Sequence, residues 1–280
     1  LKKIFLFICA PLLAGYIIGQ LNGSRHVEIN APTGAFVVSK KEKNHLEYFF
    51  RNLIIYDCGG YTLLGDKPVT FDYMIKPIFK WDIYYLWNAF LPSNLRKHNA
   101  WETFQKYQQF ICGDNILIWV ESSPWNSNVQ FIMMANKKEI SRIIDENKQD
   151  FQSFVLEDVK IKPLFKEILH SDEGLIGTVL GYGRDNSMLF RENRALLSKR
   201  GIFSDEMDRL FENKKAILNF TFGWPEVPMD EILLYPMFKV KMDSEETEIL
   251  RSKYLKIRNE ILEHYREKDF LEATLQLLSK

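Results

Sequence analysis

Residues 116–139 read Ile116-Leu-Ile-Trp-Val-Glu121, Ser122-Ser-Pro-Trp-Asn-Ser-Asn128, Val129-Gln-Phe-Ile-Met-Met-Ala135, then Asn136-Lys-Lys-Glu139. Two short apolar runs rich in β-branched and aromatic residues predict two strands. The seven-residue connection is too long for a tight hairpin turn. Asn136 followed three residues later by Glu139 is a helix-start signature, and Ile140, Ile143, Ile144, Phe151 and Phe154 follow as an inward face. Strand, loop, strand and capped helix in succession point to a mixed α+β unit rather than a bundle or an all-β sandwich.

Working upstream, Ser39-x-x-Glu42 is a capping box. Leu46, Phe49, Phe50, Leu53 and Ile54 then recur at helical spacing. Cys58-Gly59-Gly60 stops that helix, with glycine available for a left-handed cap. After the Asp66-Lys67-Pro68 turn, Val69, Phe71 and Tyr73 alternate with Thr70 and Asp72, the pattern of a half-buried strand. Trp101, Phe104, Gln108 and Ile111 mark one face of another helix, which ends at Gly113-Asp114-Asn115.

Downstream, helical patterns cover Leu164–Leu169 and Met188–Leu197. Leu218, Phe220 and Phe222 alternate as one more strand, and Pro225, Pro228 and Pro236 mark an irregular connection. Asp243-x-x-Glu246 opens a long last helix with acids in its first turn, where the macrodipole favours them. Its stripe is Leu250, Tyr254, Ile257, Ile261 and Tyr265. The expected architecture is helix-dominated α+β with a small, mostly antiparallel sheet. It divides into an aromatic-rich α+β half over 24–160 and a mostly helical half over 161–280, packed as one globular unit.

Residues 1–23 carry a separate signal. Lys2-Lys3 precede the uncharged run Ile4–Gly19, the grammar of an export signal. Sixteen helical residues would span about 24 Å, short of the roughly 30 Å hydrocarbon core, and Pro11 sits in the middle. The segment is expected to act as a signal peptide or short anchor, with membrane contact confined to residues 4–19. The protein is therefore expected to be exported, at the envelope or in the periplasm, or secreted.

The 280 residues hold 37 basic and 37 acidic side chains, so no basic surplus marks a nucleic-acid binder. Once a leader carrying Cys9 is removed, Cys58 and Cys112 form an even pair. In an oxidising compartment they can be disulfide-bonded; the alternative is two buried thiols packed as small hydrophobes. His26, His45, His98, His170 and His264 are widely spaced, with no metal-ligand pattern. No metal and no cofactor are expected.

Gly181-Tyr-Gly183-Arg-Asp-Asn186 is the sharpest local motif. A glycine turn before a helix can cradle a pyrophosphate, but the third glycine is Asn186 and no train of βαβ units follows. Gly174, Gly177 and Gly181 are read as allowing close helix packing, with Asn186 capping the next helix. A Cys–His hydrolase would use Cys58 with His98 or His170, and is the enzymatic alternative. The leading functional expectation rests on residues 71–110, where twelve of forty side chains are aromatic. Trp81, Tyr84, Tyr85, Trp87 and Trp101 are the candidate ligand-binding residues. Aromatics beyond the needs of a core line grooves for a protein, glycan or lipid ligand. The expectation is a non-enzymatic binding protein.

Phe49-Phe-Arg-Asn-Leu53 leading to Tyr61-Thr-Leu-Leu-Gly-Asp-Lys-Pro68, together with Leu180-Gly-Tyr-Gly-Arg-Asp-Asn-Ser-Met-Leu-Phe190, resembles a family of uncharacterised exported proteins of chlamydia-like intracellular bacteria. The likeness spans most of the chain after the leader. It implies a bacterial protein acting at the envelope or toward a host, and it carries over no catalytic residue.

Overall fold

The computed structural model describes residues 26–31, 34–76, 92–124, 126–152, 161–200, 203–205, 233, 235–236, 239–241 and 244–279. The expected leader, the aromatics Trp81 to Trp87, Phe154 and the expected strand around Phe220 lie outside them. The described chain is α+β, helix-dominated, with small antiparallel sheets.

Strands β1 (His26–Ala31) and β2 (Gly34–Ser39) form a hairpin and feed helix α1 (Lys40–Arg51). The capping box forms as read: the Ser39 hydroxyl accepts from the Glu42 amide at 3.2 Å, and the Ser39 amide donates to the Glu42 carboxylate at 2.8 Å. The last turn does not stay α-helical. Asn52–Tyr56 widens into a π-helical turn, Asp57 follows, and helix α2 (Gly59–Leu64) begins at once.

Strand β3 (Val69–Ile75), helix α3 (Pro92–Ile111), β4 (Ile116–Ser122), β5 (Val129–Asn136) and helix α4 (Lys137–Glu146) complete the central unit. The sheet order is β3-β5-β4, antiparallel throughout, with Tyr73 opposite Phe131 and Phe131 opposite Glu121. Asn136 caps α4 through the Glu139 amide, as the sequence indicates.

Alternation gives the sheet two faces. Met74, Ile132, Met134, Ile116 and Ile118 face a core built from α1, α3, helix α8 (Glu245–Tyr265) and helix α9 (Phe270–Leu278). Phe49, Phe50, Trp101 and Phe104 stack at its centre. The α8 stripe reads true, with Tyr254, Ile257, Ile261 and Tyr265 buried.

Val69, Met133, Ala135 and Trp119 face the other way. They meet α4, helix α5 (Ile161–Ser171), helix α6 (Glu173–Val179) and Met188 of helix α7 (Arg184–Arg200). Both cores draw on residues from before and after residue 160. A last small pair, β6 (Phe203–Asp205) with β7 (Lys239–Lys241), is also antiparallel.

Three local expectations are corrected. Cys58 itself, not a glycine, takes the left-handed conformation (φ 64°), and Gly59 starts α2. Glycine is needed at 59 for a close approach, since a Cβ there would lie 2.5 Å from the Leu53 carbonyl oxygen. On β3, Thr70, Asp72 and Met74 are buried while Phe71 and Tyr73 are exposed, the reverse of the face the aromatic alternation suggests. Helix α8 starts at Glu245 after Ser244, and Glu246 turns away to another helix.

Candidate functional site

The segment Asn52–Gly60 packs against β3 and brings titratable groups together on either side of its bend. On one side sits Cys58. Its carbonyl accepts from the Thr70 hydroxyl at 3.3 Å, which ties the bend to the strand. Lys67 is only 3% exposed, and its ammonium donates to the Val69 carbonyl at 2.6 Å and the Leu180 carbonyl at 2.7 Å. Burial pulls the Lys67 pKa down to about 8. The same burial pushes the Cys58 thiol up to about 12, so it is not a thiolate at neutral pH.

Cys58 and Cys112 are both unbridged thiols, which corrects the expected disulfide. Different elements hold them: Cys58 is fixed against Thr70 on β3, whereas Cys112 follows α3 beside Gly113, whose amide donates to the Leu278 carbonyl of α9. The Cys–His grouping is not assembled either. His98 meets the Ile75 carbonyl at 2.6 Å, five strand residues beyond Thr70, or about 17 Å along β3. His170 is exposed at the end of α5.

On the other side of the bend is a carboxyl pair. Asp72 is 4% exposed. Its Oδ1 accepts from the Tyr73 amide at 2.7 Å and from the Lys97 ammonium at 2.5 Å. The Asp57 carboxyl lies near enough to Asp72 and Lys97 to feel the charge of both. Burial first, and the Asp72 charge second, hold the Asp57 carboxyl well above the ordinary range. Lys97 also donates to the Tyr73 carbonyl at 3.2 Å and lies 5.1 Å from the Tyr73 ring centroid. A cavity of about 10 Å³, room for one water, lies between Tyr48, Asn52, Asp72 and Lys97.

Lys97 belongs to a wider device. The outer backbone edge of β3 is capped by side chains of α3: Asn94 exchanges two hydrogen bonds with Ile75, and His98 and Lys97 take the Ile75 and Tyr73 carbonyls. The edge is thus closed to strand addition. The sheet face is not closed at that end. Tyr73 is 57% and Phe71 38% exposed, with Phe71 packed edge-on against Phe131 at 5.3 Å. Glu121 shares their face and row by register.

Of the five aromatics expected to bind ligand, Trp101 is described, and it is a core residue, 8% exposed against Phe49 and Phe104. Phe71 and Tyr73 lie in the same aromatic-rich segment. Their exposure was hidden because burial of Asp72 on the opposite face depends on Lys97, 25 residues away.

The glycine motif has a different role. Gly177 lies under Ser187 and Gly174 under Met188, as close helix packing requires. Asn186 sits inside the first turn of α7 and donates to the Tyr182 carbonyl, so it is not the cap. Glu246 supplies that role, its carboxylate accepting from the Asp185 and Asn186 amides at 3.2 and 3.1 Å. A cleft of about 230 Å³ opens alongside. Its charges are matched, Lys253 with Asp66, Arg142 with Glu146 and Arg184 with Asp150, leaving no surplus of either sign to select an ion.

Among the described residues, no three His, Cys, Asp or Glu side chains gather to hold a metal ion, and no helix is long and apolar enough to cross a membrane. No protein-family model, curated protein or solved structure matches the chain.

Proposed function

We propose that the protein is an exported, envelope-facing interaction protein that engages a polypeptide partner through the open end of the sheet face around Tyr73. The observation that carries this reading is the exposed pair Phe71 and Tyr73 on a sheet face whose other end is buried under four helices. Aromatic anchors bordered by polar groups of both signs, here Lys97 and Glu121, have the anatomy of a protein contact. A lipid-binding face would pair its apolar residues with a basic surplus. Because Asn94 and Lys97 close the β3 edge, the partner docks on side chains rather than adding a strand. Beyond Lys76 the sequence runs on through Trp81, Tyr84, Tyr85 and Trp87, further aromatic side chains close by in sequence. Export rests on Lys2-Lys3 and the apolar run that follows.

The test is a photo-crosslinking residue placed at Tyr73 in the producing cell, with Lys138, exposed on α4, as control position. A discrete, protease-sensitive adduct from position 73 alone supports the reading. A glycosidase- or lipase-sensitive adduct, equal adducts from both positions, or none from position 73, overturns it.

A further inference from the structure

The cleft beside the first turn of α7 lies where four parts of the chain converge: the Asp66 turn, α4, the stretch 181–184 and α8. Its volume, about 230 Å³, is below the ~300–1,000 Å³ of pockets for drug-sized ligands and suits a molecule of amino-acid size. Asp66, Glu146 and Glu246 line it together with Arg142, Arg184 and Lys253. Two of these six are fully spent inside the protein. Arg184 is clamped on both Asp150 oxygens, and Glu246 on the two α7 amides.

The other four keep hydrogen-bonding capacity. Arg142 is braced along its own helix, its Nε donating to Glu139 at 2.8 Å and its Nη1 to Glu146 at 2.7 Å. The two N–H groups of Nη2 have no partner among the described residues. Lys253 gives one N–H to Asp66 Oδ2 at 2.7 Å, which leaves two donors on the ammonium and Oδ1 on the carboxylate. Glu146 spends one lone pair of each oxygen on Arg142 and retains the rest.

Spare donors and spare acceptors therefore share one small cleft. An anion on Arg142 and Lys253 would also face their acidic partners, and a cation on the acids would face Arg142 and Lys253. A molecule carrying both charges meets each group with its complement. A sugar finds no stacking platform: the aromatic ring among the described lining residues, Tyr254, is 5% exposed and edge-on to Tyr61, its hydroxyl donating to the Gly181 carbonyl. Ile143 and Leu250, both half-buried, add aliphatic wall beside the charges.

We propose that this cleft binds a free aliphatic amino acid as its zwitterion. The carboxylate takes Arg142 Nη2 and the Lys253 ammonium; the ligand's ammonium takes Asp66 and Glu146; the side chain lies on Ile143 and Leu250. The site is separate from the Tyr73 face, so failure of the Tyr73 crosslink leaves it standing.

The experiment is calorimetric titration of the full chain with L-leucine, with N-acetyl-L-leucine, which lacks the ammonium, and with L-leucine amide, which lacks the carboxylate. L-leucine is expected to bind and to shift the Gly183 and Arg184 amide resonances. Each blocked form should bind about tenfold more weakly or worse, the loss for one charge-assisted hydrogen bond. Arg142→Gln should weaken L-leucine by a similar factor while keeping the ligand-free spectrum. No L-leucine binding up to ~10 mM, beyond a millimolar Kd, overturns the site. Equal binding of either blocked form, or shifts confined to residues away from the cleft, overturns it too, and neither readout needs a variant to fold.

Discussion

Glu246 caps Asn186 across sixty residues of sequence: its Oε2 accepts the Asn186 amide at 3.1 Å while Oε1 takes Asp185, on the first turn of α7. A carboxylate there satisfies two orphan amides and meets the positive end of the helix dipole. Gly183 (φ 87°) makes the approach feasible, since a Cβ would lie 2.5 Å from the Glu246 carboxyl carbon. Glu246→Ala is expected to cost about 1 kcal/mol, in the range of a lost N-cap, and Glu246→Gln less. Urea unfolding checks this; a Glu246→Ala protein with unchanged stability contradicts the capping role.

Trp101→Ala removes a buried indole that packs against both Phe49 and Phe104 and should destabilise the fold by about 3–5 kcal/mol. Phe71→Ser with Tyr73→Ser, on the open face, should change stability by only about 0.5 kcal/mol each. Equilibrium denaturation of the two proteins separates a core aromatic from a surface one. Similar losses in both would show the open face to be part of the core.

Cys58 is expected to resist thiol reagents in the native protein, because burial both hides the sulfur and disfavours the thiolate. Its labelling should be at least ~100-fold slower than in denaturant, the factor for an opening that costs about 2.8 kcal/mol. The intact mass should not change on reduction. The raised pKa also fixes a sign: the thiol's contribution to stability is full below its ordinary value and is lost as pH rises through about 12. Rapid native labelling of Cys58 would contradict its placement.

For Asp57 the sign runs the same way. A raised folded pKa means its contribution is full below the ordinary aspartate value and is lost as pH climbs through the raised one. As pH climbs above the ordinary aspartate value the unsubstituted protein loses that contribution, and Asp57→Asn, which cannot ionise, does not. The stability of the variant should therefore gain on that of the unsubstituted protein as pH rises from acid towards neutral. Stability curves recorded from acid to neutral pH test it, and parallel curves for the two proteins contradict the upward shift at Asp57.

Elements whose signals are local were legible in the sequence. Ser39 with Glu42, and Asn136 with Glu139, are caps made within three residues, and the structure keeps both. The stripes around Phe49 and Tyr254 follow from periodicity alone. What was not legible depends on partners distant in sequence. The inverted face of β3 follows from pairing Asp72 with Lys97. The true cap of α7 comes from Glu246, and Lys67 is buried because Leu180, 113 residues on, offers it a carbonyl. Cys58 reads as a helix stop, yet its left-handed backbone and the π-helical turn before it are set by the packing of Asn52–Gly60 on the sheet. The candidate site lies where these long-range ties meet, so composition pointed to its aromatic segment but not to its residues.

The central claim, a partner seated on Tyr73, is tested most directly by hydroxyl-radical footprinting of Tyr73 and Phe71 in intact producing cells and in the purified protein. The account predicts that both rings are oxidised readily in the purified chain and are protected in cells, while exposed Leu255 on α8 reacts equally in the two. Equal oxidation of Tyr73 in cells and in isolation would contradict it.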